Sequence, residues 1–189
     1  MSSEYTLSLS PRTLEDAEPR AKAALESVQA SLKFVPNMYR VMANAPGLLD
    51  TYLHGYALFR EGSGFTPAEQ EVVFLTISRD NGCEYCVAAH SFVADTMSKV
   101  PPAVTDAIRD GRLIPDEKLS ALSTFASLML ETRGRPGQHD VETFLAAGYT
   151  ERHILEIILA ISVKTLSNYT NHLFHTPVDS VFARRAWAA

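Results

Sequence analysis

FTPAEQEVVFLTISRDNGCEYCVAAH, residues 65 to 90, contains the start of one helix, its end, and the start of another. Thr66 is a favourable N-cap, Pro67 suits the first helical position, and a glutamate three residues after the cap completes the spacing of a capping box. The Asn-Gly pair at 81–82 is typical of a helix end, so the next helix begins at or near Cys83. The stretch therefore predicts two consecutive helices joined by a tight turn.

The rest of the chain has the same helical character. Apolar residues recur at helical spacing through most of it, and no segment shows a convincing alternation with period two. Breaks that contain proline or glycine separate the apolar segments. We therefore predict an all-α bundle of eight to ten helices. The longer predicted segments span residues 14–32, 34–47, 48–62, 65–82, 83–97 and 150–174.

A shift of 84 residues overlays part of the chain on itself without gaps. It places Thr66 on Thr150, FLTIS on ILAIS, and CEYC on SNYT. We interpret this overlay as an internal helical-hairpin repeat, and a chance likeness of two amphipathic helices is the alternative. The second copy has Ser167 and Thr170 in place of the cysteines, so only the first copy is expected to be chemically active. The first copy spans about residues 48–97 and the second about 132–181. Both lie in a single predicted domain of residues 1–189.

The composition excludes several classes of protein. Seventeen basic and 22 acidic side chains give a net charge of -5, and no Lys/Arg-rich block predicts a nucleic-acid or anionic membrane surface. The first residues lack the pattern of a signal peptide. The longest apolar stretch, residues 154–163, contains Glu156 and is too short to span a bilayer. We therefore expect a cytoplasmic protein in a reducing compartment, where a structural disulfide is a poor explanation for two nearby cysteines.

The two cysteines of the chain, Cys83 and Cys86, are followed by His90 on the same helical face. Unpaired N–H groups and the helix dipole favour an anion at a helix start, so a lowered pKa is expected for Cys83. Histidine is well suited to accept a thiol proton near neutral pH. At ~1.5 Å per residue, Glu71 and His90 lie roughly 16 Å and 12 Å from the turn, so they can meet in a helical hairpin. A solvated Glu71 is the alternative.

The resulting pattern, E-x11-C-x2-C-x3-H, resembles the alkylhydroperoxidase D (AhpD)-like branch of the carboxymuconolactone decarboxylase superfamily. The stretches FVPNMYRVMANAP and CEYCVAAH are similar to the peroxidase-related enzymes of that branch. The resemblance covers about residues 30 to 180. It implies an all-helical AhpD-like fold with an internal repeat, and a homo-oligomer that is a trimer or a hexamer.

The resemblance also implies roles for these residues in a thiol-dependent hydroperoxide reductase. Cys86 would be oxidised by a hydroperoxide to a sulfenic acid, and Cys83 would resolve it into a disulfide. His90 and Glu71 would form the proton relay that deprotonates Cys86. An external dithiol, such as a lipoyl group on a carrier protein, would reduce the disulfide, with no bound cofactor. Tyr85 replaces a further relay histidine, and a phenol of pKa about 10 is a poorer proton shuttle.

Other interpretations of the same residues remain open. Cys83, Cys86 and His90 are three potential zinc ligands, with His172 or His175 as a fourth, but the companion motif of a structural zinc site is missing. A lactone decarboxylase would not need the cysteine pair. A redox sensor would use the dithiol without turnover.

His54 is a further candidate for the site. It could line a pocket beside the thiols, although its aromatic neighbours favour a hydrogen-bonded core residue.

Overall fold

Prolines begin several of the helices in the computed structural model, which describes residues 4–189. At the first helical position a missing N–H costs nothing, because that group has no partner within the helix. The described residues form nine α-helices, one short 3-10 helix and no β-strand, as the all-α prediction required. The α-helices are α1 (Pro19–Leu32), α2 (Asn37–Met42), α3 (Pro46–Gly62), α4 (Pro67–Asp80), α5 (Glu84–Thr96), α6 (Pro102–Arg109), α7 (Glu117–Glu131), α8 (Gln138–Ala146) and α9 (Glu151–Phe174), and the 3-10 helix is Ser180–Arg185.

Helix α4 is the central element of the bundle. Every residue from Glu69 to Ser78 is buried, because α5, α6, α7 and α9 all pack against this helix. The predicted capping box begins it: the Glu69 amide donates to Thr66 Oγ1 at 3.3 Å, and the Thr66 amide donates to Glu69 Oε2 at 2.9 Å. Local sequence signals therefore determine where α4 begins, and four other helices pack against α4.

The turn between α4 and α5 fixes where the cysteines lie. Gly82 adopts a φ of +67°, a left-handed conformation that favours glycine. Cys83 is the N-cap of α5, and its amide donates to the Ser78 carbonyl at 2.9 Å. The Asn81 side chain donates to Asn168 Oδ1 of α9 at 2.9 Å, which joins the turn to that helix.

The segment that the 84-residue shift matches to α4 and α5 has no such turn. Residues 151–174 form the single helix α9, with Thr165 and Leu166 at the positions that correspond to Asn81 and Gly82. The internal repeat stays a prediction, but its two copies differ in this respect. Among residues 4–189, none of the helices combines the length and the apolar character that a bilayer crossing requires.

Candidate active site

Cys83 and Cys86 lie together at the start of α5, both buried and both free thiols. Cys83 ends the turn and Cys86 lies in the first turn of the helix. Asn171, on the facing helix α9, reaches both sulfurs, with its Nδ2 3.3 Å from Cys86 Sγ and 3.8 Å from Cys83 Sγ. The predicted dithiol is therefore a single buried unit between two helices.

The two thiols do not ionise alike. Cys83 donates a hydrogen bond to Cys86, and this bond together with burial raises the pKa of the Cys83 thiol far above its ordinary value. Burial also opposes a charge on Cys86, but the hydrogen bond from Cys83 and the positive charge of Lys164 hold the pKa of the Cys86 thiol well below its ordinary value. The prediction of a lowered pKa at Cys83 was wrong, because the pair shares one negative charge and Cys86 carries it.

Glu71 and His90 meet as the helix geometry predicted. Glu71 is fully buried, and its Oε2 lies 2.8 Å from His90 Nδ1. The other carboxylate oxygen forms an ion pair with the Arg60 guanidinium. Burial opposes ionisation, but His90 and Arg60 lower the pKa of Glu71 below its ordinary value, so the carboxylate is charged. The alternative of a solvated Glu71 is excluded.

Lys164 of α9 is a site residue that the sequence did not single out. It is fully buried, and its Nζ lies 2.9 Å from His90 Nε2. Burial and the positive charge of Lys164 lower the pKa of His90, so the imidazole is neutral near pH 7. Within residues 4–189, His90 therefore bonds to Glu71 through one ring nitrogen and contacts Lys164 through the other, and neither nitrogen bonds to a sulfur.

Tyr85 and His54, the two further candidates, lie outside this cluster. The Tyr85 hydroxyl donates to Asp179 Oδ2 at 2.5 Å and accepts from the Met38 amide at 3.5 Å, so it joins the start of α5 to α2 and to the C-terminal segment. His54 is exposed, and the expectation of a core histidine was wrong. The buried residues of α3 lie on the face of Tyr52, and a position two residues further along a helix points about 200° away.

A cavity of about 440 Å³ opens beside Cys83. His172 and His175, proposed above as a fourth zinc ligand, line it together with Asn171. In the described part of the chain, no three His, Cys, Asp or Glu side chains are grouped so that they could hold a metal ion. The cavity borders the dithiol on the Cys83 side, and Cys83 itself is fully buried. Its lining residues are Glu4, Gly82, Cys83, Glu84, Tyr85, Asn171, His172, His175, Thr176, Pro177, Val178 and Ala189.

The arrangement of helices is shared with solved structures of AhpD-like proteins. A peroxidase-related protein of Ralstonia eutropha, described as an alkylhydroperoxidase AhpD core, superposes with a TM-score of 0.81 at 21% identity, over 92% of this chain and 93% of that one. A peroxidase-related protein from a Silicibacter species gives 0.77 at 20% identity, over 96% and 97% of the two chains. The debrominase Bmp8 gives 0.73 at 17% identity, over 93% and 94%.

These likenesses confirm the AhpD-like fold that the sequence resemblance implied. The sequence matches no protein-family model and no curated protein.

Proposed function

We propose that the chain is a thiol-dependent hydroperoxide reductase that uses Cys83 and Cys86 as a redox-cycling dithiol. The observation that carries this proposal is the buried, hydrogen-bonded thiol pair, with Asn171 Nδ2 directed at both sulfurs. A thiolate is the reactive form of cysteine, and a second thiol in contact with it can resolve its oxidised product. The hydrogen-bonded pair of Glu71 and His90 belongs to the same buried cluster, and Lys164 contacts the second ring nitrogen of His90.

The proposed reaction balances within the dithiol. The Cys86 thiolate attacks the terminal oxygen of the hydroperoxide, the O–O bond breaks, and Cys86 becomes a sulfenic acid. The released alkoxide takes the Cys83 proton and leaves as an alcohol. The Cys83 thiolate then attacks the Cys86 sulfur, and the disulfide forms as hydroxide leaves and is protonated to water. The peroxide gains the two electrons that the dithiol loses.

An external dithiol would return the enzyme to its reduced state, and we propose a lipoyl-type group as its chemical class. This dithiol would attack the Cys83 sulfur of the disulfide, because Cys83 lines the cavity and Cys86 does not. A reducing compartment such as the cytoplasm suits this cycle. A trimer or hexamer of the chain stays a prediction.

Reductive dehalogenation is a second candidate, favoured by the likeness to the debrominase Bmp8 over most of the chain. A structure described as its Cys-to-Ala variant holds 2,3,4-tribromopyrrole. On this chain the Cys86 thiolate would take bromine from a ring carbon, which gains a proton, and Cys83 would then displace bromide to form the same disulfide. The stacked tyrosines Tyr52 and Tyr56, with ring centroids 5.8 Å apart, lie on the α3 side of the site.

The decisive experiment counts free thiols before and after one equivalent of an organic hydroperoxide. We expect both thiols to be lost and mass spectrometry to show a bridge within the peptide that contains Cys83 and Cys86. Cys86→Ser should keep its remaining thiol, and Cys83→Ser should stop at a sulfenic acid. A normal rate of peroxide consumption in Cys86→Ser would contradict the proposed mechanism.

Turnover separates the remaining alternatives. With an excess of a reduced lipoyl-type dithiol, a reductase consumes many equivalents of peroxide, whereas a redox sensor stops after one. The same assay with a bromopyrrole in place of the hydroperoxide tests dehalogenation. A lactone decarboxylase would act with both cysteines replaced by serine.

A further inference from the structure

The strongest unexplained feature of the site is the charge on Lys164. An ammonium removed from water costs several kcal/mol unless an anion lies beside it. Lys164 is fully buried, and its nearest polar partner is the neutral ring of His90. Among residues 4–189, no carboxylate lies within 4 Å of its Nζ. The compensating charge must therefore come from another group in the site.

The other titratable groups around the site are already accounted for. Glu71 is paired with Arg60 and bonded to His90, so its charge is compensated. Burial raises the pKa of the tyrosine hydroxyls on α2 and α3, which are therefore neutral. The titratable groups that act on Cys86 are Tyr39 from α2, Tyr52 and Tyr56 from α3, Cys83, Tyr85 and His90 from α5, and Lys164 from α9, while Glu71 bonds to His90 and Arg60 pairs with Glu71.

Cys86 is the acid that remains to supply an anion. If Arg60 and Lys164 are positive and Glu71 and Cys86 are negative, the buried charges sum to zero. If Cys86 were a neutral thiol, one uncompensated positive charge would remain in the interior. The zero sum is the arrangement that a low-dielectric interior favours.

We infer that Lys164 is the counter-ion of the Cys86 thiolate in the reduced protein, and that it releases a proton when the disulfide forms. The second half of this inference rests on the proposed function. Disulfide formation removes the anion, so the ammonium loses its counter-charge. Its proton passes to the hydroxide that leaves the Cys86 sulfenic acid, which gives water and a neutral amine. Reduction of the disulfide returns both the thiolate and the proton.

This inference changes the role of His90. Its Nδ1 lies 2.8 Å from the Glu71 carboxylate and its Nε2 lies 2.9 Å from Lys164 Nζ, so a neutral ring donates to the first and accepts from the second. His90 is therefore a positioning residue that holds Lys164 in place, and it does not take the thiol proton directly. The relay that the family resemblance implied gains a further member on α9.

The test measures the thiolate without any peroxide. The reduced protein is alkylated with iodoacetamide over a range of pH, and mass spectrometry follows the Cys86 site in the Cys83→Ser background. Lys164→Met keeps the length of the side chain and removes its charge. We expect its alkylation profile to move to higher pH by about one unit or more, so that the rate falls about tenfold per unit at pH values below both midpoints, where the thiolate fraction follows the pKa. An unchanged profile would overturn the inference.

A matched control uses another lysine of the chain. Lys118 is half-exposed and pairs with Glu69 at 2.8 Å, on the α7 side of α4, so Lys118→Met should leave the alkylation profile of Cys86 as it is. Failure of the protein to reduce peroxide would contradict the proposed function, but it would not change the pH profile of Cys86 alkylation. The two proposals therefore fail separately.

A stability cycle keeps the inference testable if one variant folds poorly. Cys86→Ser removes the anion and leaves Lys164 unpaired, so its urea midpoint should fall at neutral pH. Adding Lys164→Met to that variant should restore part of the loss, and additive changes in the midpoint would contradict the ion pair. The pKa of Cys86 is depressed in the folded state, so the stabilisation is fully present above the ordinary thiol pKa. It is lost as the pH falls through the folded-state pKa.

Discussion

The α4–α5 hairpin and helix α9 are matched by the 84-residue shift, yet they contribute different chemistry to one site. The hairpin supplies the two thiols and the hydrogen-bonded pair of Glu71 and His90. Helix α9 supplies Asn171, whose Nδ2 donates to Cys86 Sγ, and Lys164, whose Nζ contacts His90 Nε2. That only the copy with the cysteines is chemically active stays a prediction, and α9 nevertheless places two side chains at the same site.

The turn at Gly82 accounts for much of the difference. It ends α4 and gives α5 a free helix start, at which both sulfurs lie. Helix α9 continues through the equivalent position, so Lys164, Ser167 and Asn171 recur at i, i+3 and i+7 along one face. The α4–α5 hairpin therefore presents a helix end to the site and α9 presents a helix side. Two segments that align in sequence therefore need not have the same environment in the folded protein.

Among substitutions that test the difference between the hairpin and α9, the largest loss of stability is expected at Glu71. Glu71→Ala leaves Arg60 as an unpaired, largely buried cation and removes the acceptor of His90 Nδ1. Breaking a buried ion pair in this way costs about 3–5 kcal/mol, which urea denaturation would measure as a loss in the free energy of unfolding. The position that the shift equates with it, Leu155, is 66% exposed and makes no such pair.

The control for that measurement is Glu61→Ala on α3. Glu61 is exposed, so its removal should change the free energy of unfolding by no more than about 0.5 kcal/mol. A comparably small loss for Glu71→Ala would mean that the carboxylate is not the anchor of the site.

A smaller effect is expected at Asn171, the amide donor from α9. Asn171→Leu removes the hydrogen bond to Cys86 Sγ, and a hydrogen bond to a charged group contributes about 1.5–3 kcal/mol. The pKa of Cys86 should rise by about one unit, and the iodoacetamide profile of Cys86 should move about one unit higher in pH. This substitution alters α9, the helix that contains no cysteine, and yet it is expected to change the ionisation of a cysteine on α5.

Thr170→Val is the matched control, because Thr170 occupies the place of Cys86 in the second copy. Its hydroxyl donates to the Leu166 carbonyl at 2.7 Å, within its own helix. The alkylation profile should therefore be unchanged. A similar shift in both variants would trace the effect to a general loosening of α9 and not to the lost donor.

The parts of this site that the sequence predicts are those set by local signals. Thr66, Pro67 and Gly82 determine the ends of α4 by capping and by backbone conformation, which a short window contains. The meeting of Glu71 and His90 follows from the rise per residue along two helices joined by a short turn. Both predictions depend on residues that are near one another in sequence.

Lys164 was missed because its partners are far away in the chain. Its Nζ contacts His90, 74 residues earlier, and no motif connects the two. A signal is present, since Lys164 lies four residues after Ala160 and seven after Ile157, both buried. A lysine on the buried face of an amphipathic helix needs a partner, but the partner itself is settled only by tertiary packing.

The ionisation of Cys83 was mispredicted for a related reason. A helix start lowers the pKa of an isolated thiol, and the position of Cys83 at a helix start suggested the same for this thiol. In the folded protein Cys83 donates to Cys86, so the second sulfur takes the negative charge of the pair. Coupled groups titrate as a unit, which a rule for single residues does not describe.

The smallest expected effect is a difference in stability between substitutions at Thr66, which caps α4, and at Thr150, which caps α9. Thr66 and Thr150 are equivalent N-caps, but only Thr66 accepts an amide hydrogen bond through its side chain. At the second cap, the Thr150 amide donates instead to His153 Nδ1 at 3.0 Å. Thr66→Ala should therefore lower the free energy of unfolding by about 1 kcal/mol, and Thr150→Ala by less, as measured by urea denaturation. Equal losses would show that the two caps contribute alike and would contradict this difference between the helix starts.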